Sequence, residues 1–336
     1  MAAVHAEAIK AMDSAVLSAA CSRTSSCLEP FCLKHQCRGF SDLDEFLERA
    51  DVDIVTICTP SGAHAEPACK AAEAGKHVIV EKPIEVTLQR ADQIIEACEA
   101  NNVRLGAVFQ SRFSEASKLL KRAIEENLFG VLTLGSAYVR WYRPQEYYDS
   151  GEWRGTIALD GGGALMNQSI HAIDLLRWLM GDVASVQSFT DMLVHDKIEV
   201  EDTAVAILRF TSGALGVIEG STGAYPGYAK RIEISGERGT VVLTEDRITE
   251  WSFAEPTELD AQVKMLAQDG SGKGGAADPM AINYTGHKAQ FEDFIEAVRK
   301  GTPPSIDGIE GRKTLEVVLA IYRANVQGRR VSLPLS

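Results

Sequence analysis

From residue 15 to about 110, short apolar runs alternate with amphipathic stretches of ten to fifteen residues, and this rhythm constrains the fold more than any other feature. Residues 15–21 read as a strand, 41–50 as a capped helix and 52–58 as a second strand running into the turn Thr59-Pro60-Ser61-Gly62. A helix over about 63–74, a strand over 77–80, a helix over about 87–101 and a strand over 104–109 follow. Strands joined through helices of this length pair in parallel by right-handed crossovers, so the segment predicts an α/β domain with a doubly wound parallel sheet.

Beyond about residue 115 the rhythm changes. A helix over 115–126 leads to a long strand over 131–142, and a second helix covers 164–180. Six β-rich segments come next, at 184–193, 203–210, 214–221, 231–235, 240–244 and 248–253. Thr211-Ser212-Gly213 and Gly236-Glu237-Arg238-Gly239 between them are hairpin chemistry, which predicts an open, mostly antiparallel sheet in an α+β domain. Residues 255–279, with their Gly-Ser-Gly-Lys-Gly-Gly run, read as a loop, and helices near 288–299 and 311–327 close the chain. The 336 residues suit two domains, placed here at 1–114 and 115–336. A sheet with one uncovered apolar face favours a homodimer or homotetramer.

The charge balance excludes some functions. With 47 acidic against 34 basic residues, a net charge of −13 and no Lys/Arg run, nucleic acid is not an expected partner. No apolar stretch reaches the roughly 18 residues of a membrane helix, and Met1 is not followed by a secretory signal, so the expectation is no membrane and a cytoplasmic protein. All seven cysteines fall between Cys21 and Cys98, without the paired C-x2-C spacing of zinc modules. Reduced thiols and no metal are expected.

Ligands of doubly wound sheets bind at the carboxyl ends of the strands. Those ends carry Thr59-Pro60-Ser61-Gly62-Ala63-His64, Glu81-Lys82-Pro83 and Gln110-Ser111-Arg112. A second candidate segment is Gly161-Gly162-Gly163-Ala164-Leu165-Met166-Asn167-Gln168-Ser169-Ile170-His171-Ala172-Ile173-Asp174. On a helix Asn167, His171 and Asp174 share one face, while Met166, Ile170, Ile173 and Leu176 share an apolar one. The glycines let another group approach the helix N-terminus, whose N–H groups favour an anionic or hydroxyl-rich ligand. Between the two segments, residues 140–156 gather Arg140, Trp141, Tyr142, Arg143, Tyr147, Tyr148, Trp153 and Arg154. Aromatic walls with Arg forks suit a sugar carrying phosphate or carboxylate groups; a Tyr- and Arg-rich subunit interface is the alternative.

The Glu81-Lys82-Pro83 tripeptide ending a strand, together with the helix motif around His171, resembles the glucose-fructose oxidoreductase and inositol dehydrogenase family (Gfo/Idh/MocA). The resemblance implies a Rossmann-like domain followed by a substrate domain, with NAD or NADP as cofactor. It implies that Lys82 is catalytic, that the Lys82-Pro83 bond is often cis, and that His171 is a general base. Asn167 stands where the family pattern has Asp. An amide orients a hydroxyl but does not raise the basicity of His171, so proton transfer would rely more on Lys82. The resemblance further implies that Thr59, Pro60, His64, Glu81, Lys82 and Gln110 face the cofactor, with Trp153 and Arg154 bordering the nicotinamide. Arg112, Arg140, Arg143, Tyr148 and Gln168 would hold substrate beside Lys82, Asn167 and His171.

The run at 140–156, Ile198-Glu199-Val200-Glu201-Asp202-Thr203 and the end Arg329-Arg330-Val331-Ser332-Leu333-Pro334-Leu335 are similar to the family branch that oxidises the 3-hydroxyl of UDP-N-acetylhexosaminuronates. Dehydrogenation of a simple sugar or inositol, or a non-catalytic truncated member, are the alternatives. The family opens with a strand and G-x-G-x-x-G, whereas Met1 to Ile9 matches the helix just after those glycines, so about fifteen residues of the pattern are absent. A start codon assigned too late, or a truncated product, is the expected cause. After the strand ending at Cys21, Ser22 and Arg23 replace the acidic residue of NAD-preferring members and suit a 2′-phosphate, which points to NADP used at least as well as NAD; a merely solvated Arg23 is the alternative.

Overall fold

The computed structural model describes residues 1–48, 51–268 and 284–335, which form two compact units. The first comprises Met1–Gln110 and Asn283–Arg312, the second Ser111–Ile282 and Lys313–Ser336. In the first unit the chain runs α1 (Ala2–Lys10), β1 (Ala19–Cys21), α2 (Ser25–His35), β2 (Arg38–Phe40), α3 (Leu43–Leu47), β3 (Ile54–Ile57), α4 (Ala65–Glu73), β4 (His77–Val80), α5 (Leu88–Ala100) and β5 (Leu105–Ala107). Local chemistry sets several of these ends. Asp42 caps α3 by accepting from the Glu45 amide, and Thr87 caps α5 by accepting from the Arg90 amide, each satisfying a donor the helix leaves over. All strand pairs here are parallel, as the sequence rhythm requires. They divide into a pair, β1-β2, and a triple, β3-β4-β5.

The second unit holds α6 (Glu115–Glu125), β6 (Leu132–Arg140), α7 (Gln145–Asp149), a wide π-type turn at Ala164–Ser169 and α8 (Ile170–Met180). Strands β7 (Val183–Asp191), β8 (Thr203–Phe210), β9 (Leu215–Ser221), β10 (Arg231–Gly236), β11 (Gly239–Thr244) and β12 (Arg247–Phe253) and helix α9 (Asp260–Gln268) follow. The chain then adds α10 (Thr285–Lys300), α11 (Gly308–Gln327) and β13 (Val331–Ser332). One sheet takes the order β12-β11-β10-β6-β9-β8-β7-β13 and is antiparallel except at β6-β9. Its inner face is apolar: Ala204, Ala206, Leu208 and Phe210 of β8 are buried, while Val205, Ile207 and Arg209 alternate outward. Helix α8 lies on that inner face, close enough that a side chain on Gly135 would strike Met180 and Leu176.

Two expectations need correcting. Residues after 283 do not all belong with the second domain, because α10 packs on α1 and places Phe291, Phe294 and Ile295 in a core with Ala8, Met12, Ile79 and Val108. Burying three such side chains is worth roughly 1.5–3 kcal/mol each, and Gln290 extends the tie by accepting from the Phe109 amide and donating to the Ala107 carbonyl. Residues 255–279 are not simply a loop, since α9 begins at Asp260, whose carboxylate accepts from the Trp251 indole at 2.9 Å. The Gly-Ser-Gly-Lys-Gly-Gly run and residues 49–50, the end of a helix expected over 41–50, lie outside the described residues. Among the described residues no helix is long and apolar enough to cross a membrane.

Candidate active site

In the first unit the expected ligand-facing residues do lie just past the strand ends. Ser22 follows β1, its amide donating to the Phe40 carbonyl of β2, and Arg23 beside it is exposed. Thr59 follows β3 and donates from Oγ1 to the Ala63 carbonyl, closing the turn with Pro60. Gln110 follows β5, half-buried, with Gly286 packed against it. Lys82 follows β4, half-buried between the buried Glu81 and Pro83, and the Lys82-Pro83 bond is cis.

Two members of the expected cofactor set have other work. His64 is 1% exposed, and its ring nitrogens lie 2.9 Å from the Pro83 carbonyl and 3.0 Å from the Thr59 carbonyl. It therefore sits between the loop after β3 and the loop after β4, and burial pulls its pKa down, which favours the neutral ring, donating to one of the two carbonyls. Glu81 is also buried: Oε1 accepts from His5 Nε2 at 2.7 Å, and Oε2 accepts from the Lys82 amide at 3.0 Å. Glu85, which sequence reasoning missed, is a second internal carboxylate. It accepts from the Ala65 and Val86 amides and pairs with Arg90 at 2.9 Å. The chemistry at the strand ends, a hydroxyl and guanidinium past β1, a threonine past β3, an ammonium past β4 and an amide past β5, fits a nicotinamide dinucleotide.

The second unit overturns one expectation about the glycine turn. The group that approaches the helix N-terminus is Glu201 of the chain itself: its carboxylate accepts from the Gly163 amide at 3.0 Å and the Leu165 amide at 2.8 Å, and its carbonyl accepts from Ala164. A side-chain carbon on Gly163 would sit 1.8 Å from that carbonyl oxygen, so only glycine fits. Tyr322 donates to the same carboxylate at 2.9 Å. Burial raises the Glu201 pKa, opposed by these donors. The N–H groups expected to meet a ligand are thus used internally.

The polar stripe on α8 also divides. Asp174 is fully buried and receives Arg112 through two hydrogen bonds, 2.8 Å from Nε and 2.6 Å from a terminal nitrogen, plus the Thr314 hydroxyl at 2.8 Å. Arg112, expected to hold substrate, is buried and directs two of its guanidinium nitrogens at Asp174. Tyr148, also expected beside the substrate, is buried: its hydroxyl is 2.8 Å from Thr222 Oγ1, and its ring meets the His195 edge. Arg140 lies over Tyr138 and pairs with Glu219, lining a groove of about 770 Å³ with Tyr228, Arg231 and Glu233.

What remains of the stripe gathers around α7 and the π turn. Asn167 donates from Nδ2 to Asp160, a buried carboxylate that also accepts from the Gly155 amide at 2.9 Å. Gln168 donates to the Tyr147 hydroxyl at 2.9 Å and accepts from Arg143 at 3.1 Å. The Arg143 guanidinium stands over Trp141 and Tyr147, and that of Arg154 over Tyr147 at 4.2 Å and Trp153 at 4.8 Å. His171 is half-buried one turn beyond Asn167. Sequence reasoning missed Asp160, and it placed Tyr147 among the aromatic walls while giving the substrate role to Tyr148. Asp160 directly precedes the triple glycine, and Tyr147 adjoins Tyr148 on a helix, where neighbours point about 100° apart and only one can face the core.

Comparison with known proteins agrees with these features. A family model described as "Oxidoreductase family, NAD-binding Rossmann fold" matches residues 1–109, and one described as "GFO/IDH/MocA C-terminal domain" matches 117–242. The WlbA dehydrogenase of Bordetella pertussis, solved in complex with NADH and UDP-GlcNAcA, superposes with a TM-score of 0.91 at 36% identity, covering 100% of this chain and 95% of that one. Myo-inositol 2-dehydrogenase of Thermotoga maritima is 29% identical over 98% of this chain and 95% of its own length. Levoglucosan dehydrogenase of Pseudarthrobacter phenanthrenivorans is 28% identical over 88% and 83%. With a Rossmann-type unit whose strand β4 runs into Glu-Lys-Pro and a largely antiparallel second unit bearing the helical His motif, the chain belongs to the Gfo/Idh/MocA family of oxidoreductases, NAD-dependent enzymes that act on CH–OH groups of sugars and inositols.

Proposed function

We propose that the chain oxidises a hydroxyl of a nucleotide sugar, the 3-hydroxyl of a UDP-N-acetylhexosaminuronate-like substrate, with NAD or NADP. The observation that carries this reading is the cluster of Arg143 and Arg154 stacked on Trp141, Tyr147 and Trp153 beside the amides of Asn167 and Gln168. Guanidinium forks on aromatic faces match a sugar bearing carboxylate and diphosphate groups better than a neutral polyol. Similarity to WlbA, solved with UDP-GlcNAcA, points the same way.

In this mechanism Lys82 hydrogen-bonds the reacting hydroxyl and shares its proton, and His171 accepts that proton as base or passes it on. Asn167, held by Asp160, orients the sugar; the Asp160 carboxylate supplies nearby the negative charge that an Asp at position 167 would have carried. The bound nicotinamide supplies the hydride acceptor. Ser22 and Arg23 meet the adenosine ribose, and Arg23 gives NADP an efficiency at least equal to NAD. The outward apolar residues of β7 and β8 make the protein a homodimer or homotetramer.

The test is reduction of the dinucleotide by the full chain, followed by absorbance, with UDP-N-acetylglucosaminuronate, the free uronic acid and myo-inositol as separate substrates. Turnover that needs the UDP group is expected, and Lys82→Met should lower kcat by at least about a thousandfold, several kcal/mol of transition-state stabilisation. Oxidation of myo-inositol alone would establish the second reading, favoured by the match to the Thermotoga maritima enzyme along nearly its whole length.

A further inference from the structure

His5 holds one oxygen of Glu81, and nothing in the catalytic reading uses it. It sits on α1, 1% exposed. Its Nε2 is 2.7 Å from Glu81 Oε1, and its Nδ1 is 2.7 Å from Thr56 Oγ1 and 3.3 Å from Cys58 Sγ. The ring meets Phe291 edge-on at 5.0 Å and His287 at 5.4 Å, both on α10. The groups facing it are therefore Thr56 and Cys58 from the β3 segment, Glu81 from just past β4, and His287 and Phe291 from α10. Glu81 in turn holds the backbone amide of Lys82 with its other oxygen.

His5, Glu81 and His287 bring ligating atoms within 4.8 Å of one another, the composition of a metal site. The geometry between the first two is that of a hydrogen bond. Two ligands of one zinc ion, on bonds of about 2.0–2.1 Å at tetrahedral angles, stand about 3.3 Å apart, whereas His5 and Glu81 are 2.7 Å apart.

We propose that His5 is a positioning residue for Lys82: by holding one oxygen of Glu81 it fixes the other on the Lys82 amide, and it balances the Glu81 charge beside the lysine. The inference rests on the reading that Lys82 handles the substrate proton. The pair's electrostatics support it. Burial alone would lower the His5 pKa, but Cys58 and Glu81 outweigh it and push it up to about 10. Burial would likewise raise Glu81, but the hydrogen bond and charge of His5, with the charges of His287 and Lys82, hold its carboxyl well below the usual range. A cation and an anion in contact leave little net field at Lys82; removing the cation alone leaves an anion at its backbone, which favours the protonated amine.

The experiment reads Lys82 without turnover. Trace acetylation with acetic anhydride across a pH series, quantified at Lys82 by mass spectrometry, gives the pH at which the amine becomes reactive. In His5→Gln that midpoint moves up by about one pH unit, a tenfold loss of reactive amine at fixed pH, and in His5→Gln with Glu81→Gln it returns towards the parent. A merely structural His5 lowers thermal stability in both variants without moving the midpoint, and that result overturns the proposal. Should the variants not fold, nitrogen-15 spectra of the histidines in the parent protein decide: a doubly protonated His5 ring at about pH 8 is expected, and a neutral one overturns it. Undiminished turnover in Lys82→Met would instead refute the catalytic reading, while the Lys82 midpoints of the parent and the His5 variants would still decide the positioning role.

Discussion

A buried charged pair makes stability depend on pH in a direction that can be derived. His5 ordinarily titrates at 6.5 and is raised to about 10 in the fold, so its contribution is complete below about 6.5, declines as pH rises and is gone above about 10. Glu81 is lowered from 4.5, so its contribution is complete above 4.5 and is lost as pH falls below it. The stability difference between the parent and His5→Gln should therefore be largest between about pH 4.5 and 6.5 and shrink towards pH 10, measured by urea unfolding at each pH. A difference that stays constant from pH 6 to 10 would contradict the charged pair. Residues of this kind were only half legible in the sequence. Glu81 and Lys82 carry a recognisable tripeptide after a strand, but His5 lies 76 positions away from Glu81, and no local pattern marks its partner. Glu201 and the triple glycine present the same difficulty: a carboxylate that caps a helix from 36 to 38 positions downstream leaves no trace in spacing.

Elements with strong periodicity were legible, because their apolar faces are written into the chain. Strand β4 occupies the expected residues 77–80, β8 the expected 203–210, and Thr87 starts α5 as its cap. The short β2 and α7 were not, since too few residues repeat to reveal a period, and neither was α2, which buries only Leu28 and His35 and so carries little apolar stripe. Helix α8 shows how a correct element can still mislead about roles. Asn167, His171 and Asp174 share a face of an ideal helix, yet the π turn before Ile170 widens the spiral and Asp174 goes inward to meet Arg112. Arg112→Met leaves the buried Asp174 carboxylate with only the Thr314 hydroxyl among the partners named above, and should cost about 3–5 kcal/mol in urea unfolding. Arg112→Met combined with Asp174→Leu should recover most of that loss, because an apolar pair needs no compensating charge. Similar losses in the single and double variants would mean that packing, not the ion pair, dominates there.

At the scale of the whole molecule, the sheet of the second unit has a face that a solitary chain leaves wet. On its outer side Phe189 is 79% exposed and pairs across strands with Val205, 45% exposed; Ile207, Leu215 and Leu134 on β8, β9 and β6 are also exposed. Isolated exposed apolar residues are ordinary, but a patch continuous over four neighbouring strands is not, and covering it removes apolar area from water at about 25 cal/mol per Å². The same alternation that buries Ala204, Ala206 and Leu208 inward directs this patch outward, so it follows from the strand register and not from a loose side chain. A second copy of the chain, bringing an identical patch about a two-fold axis, satisfies the face with no additional surface. Phe189→Lys combined with Ile207→Lys places like charges from two copies against each other while leaving the inner face intact. Light scattering after size exclusion should then show the parent as a dimer or tetramer and the double variant as a monomer with unchanged circular dichroism. A parent that elutes as a monomer, or a variant that keeps the parental mass, would leave the outer face without a partner and place any assembly elsewhere.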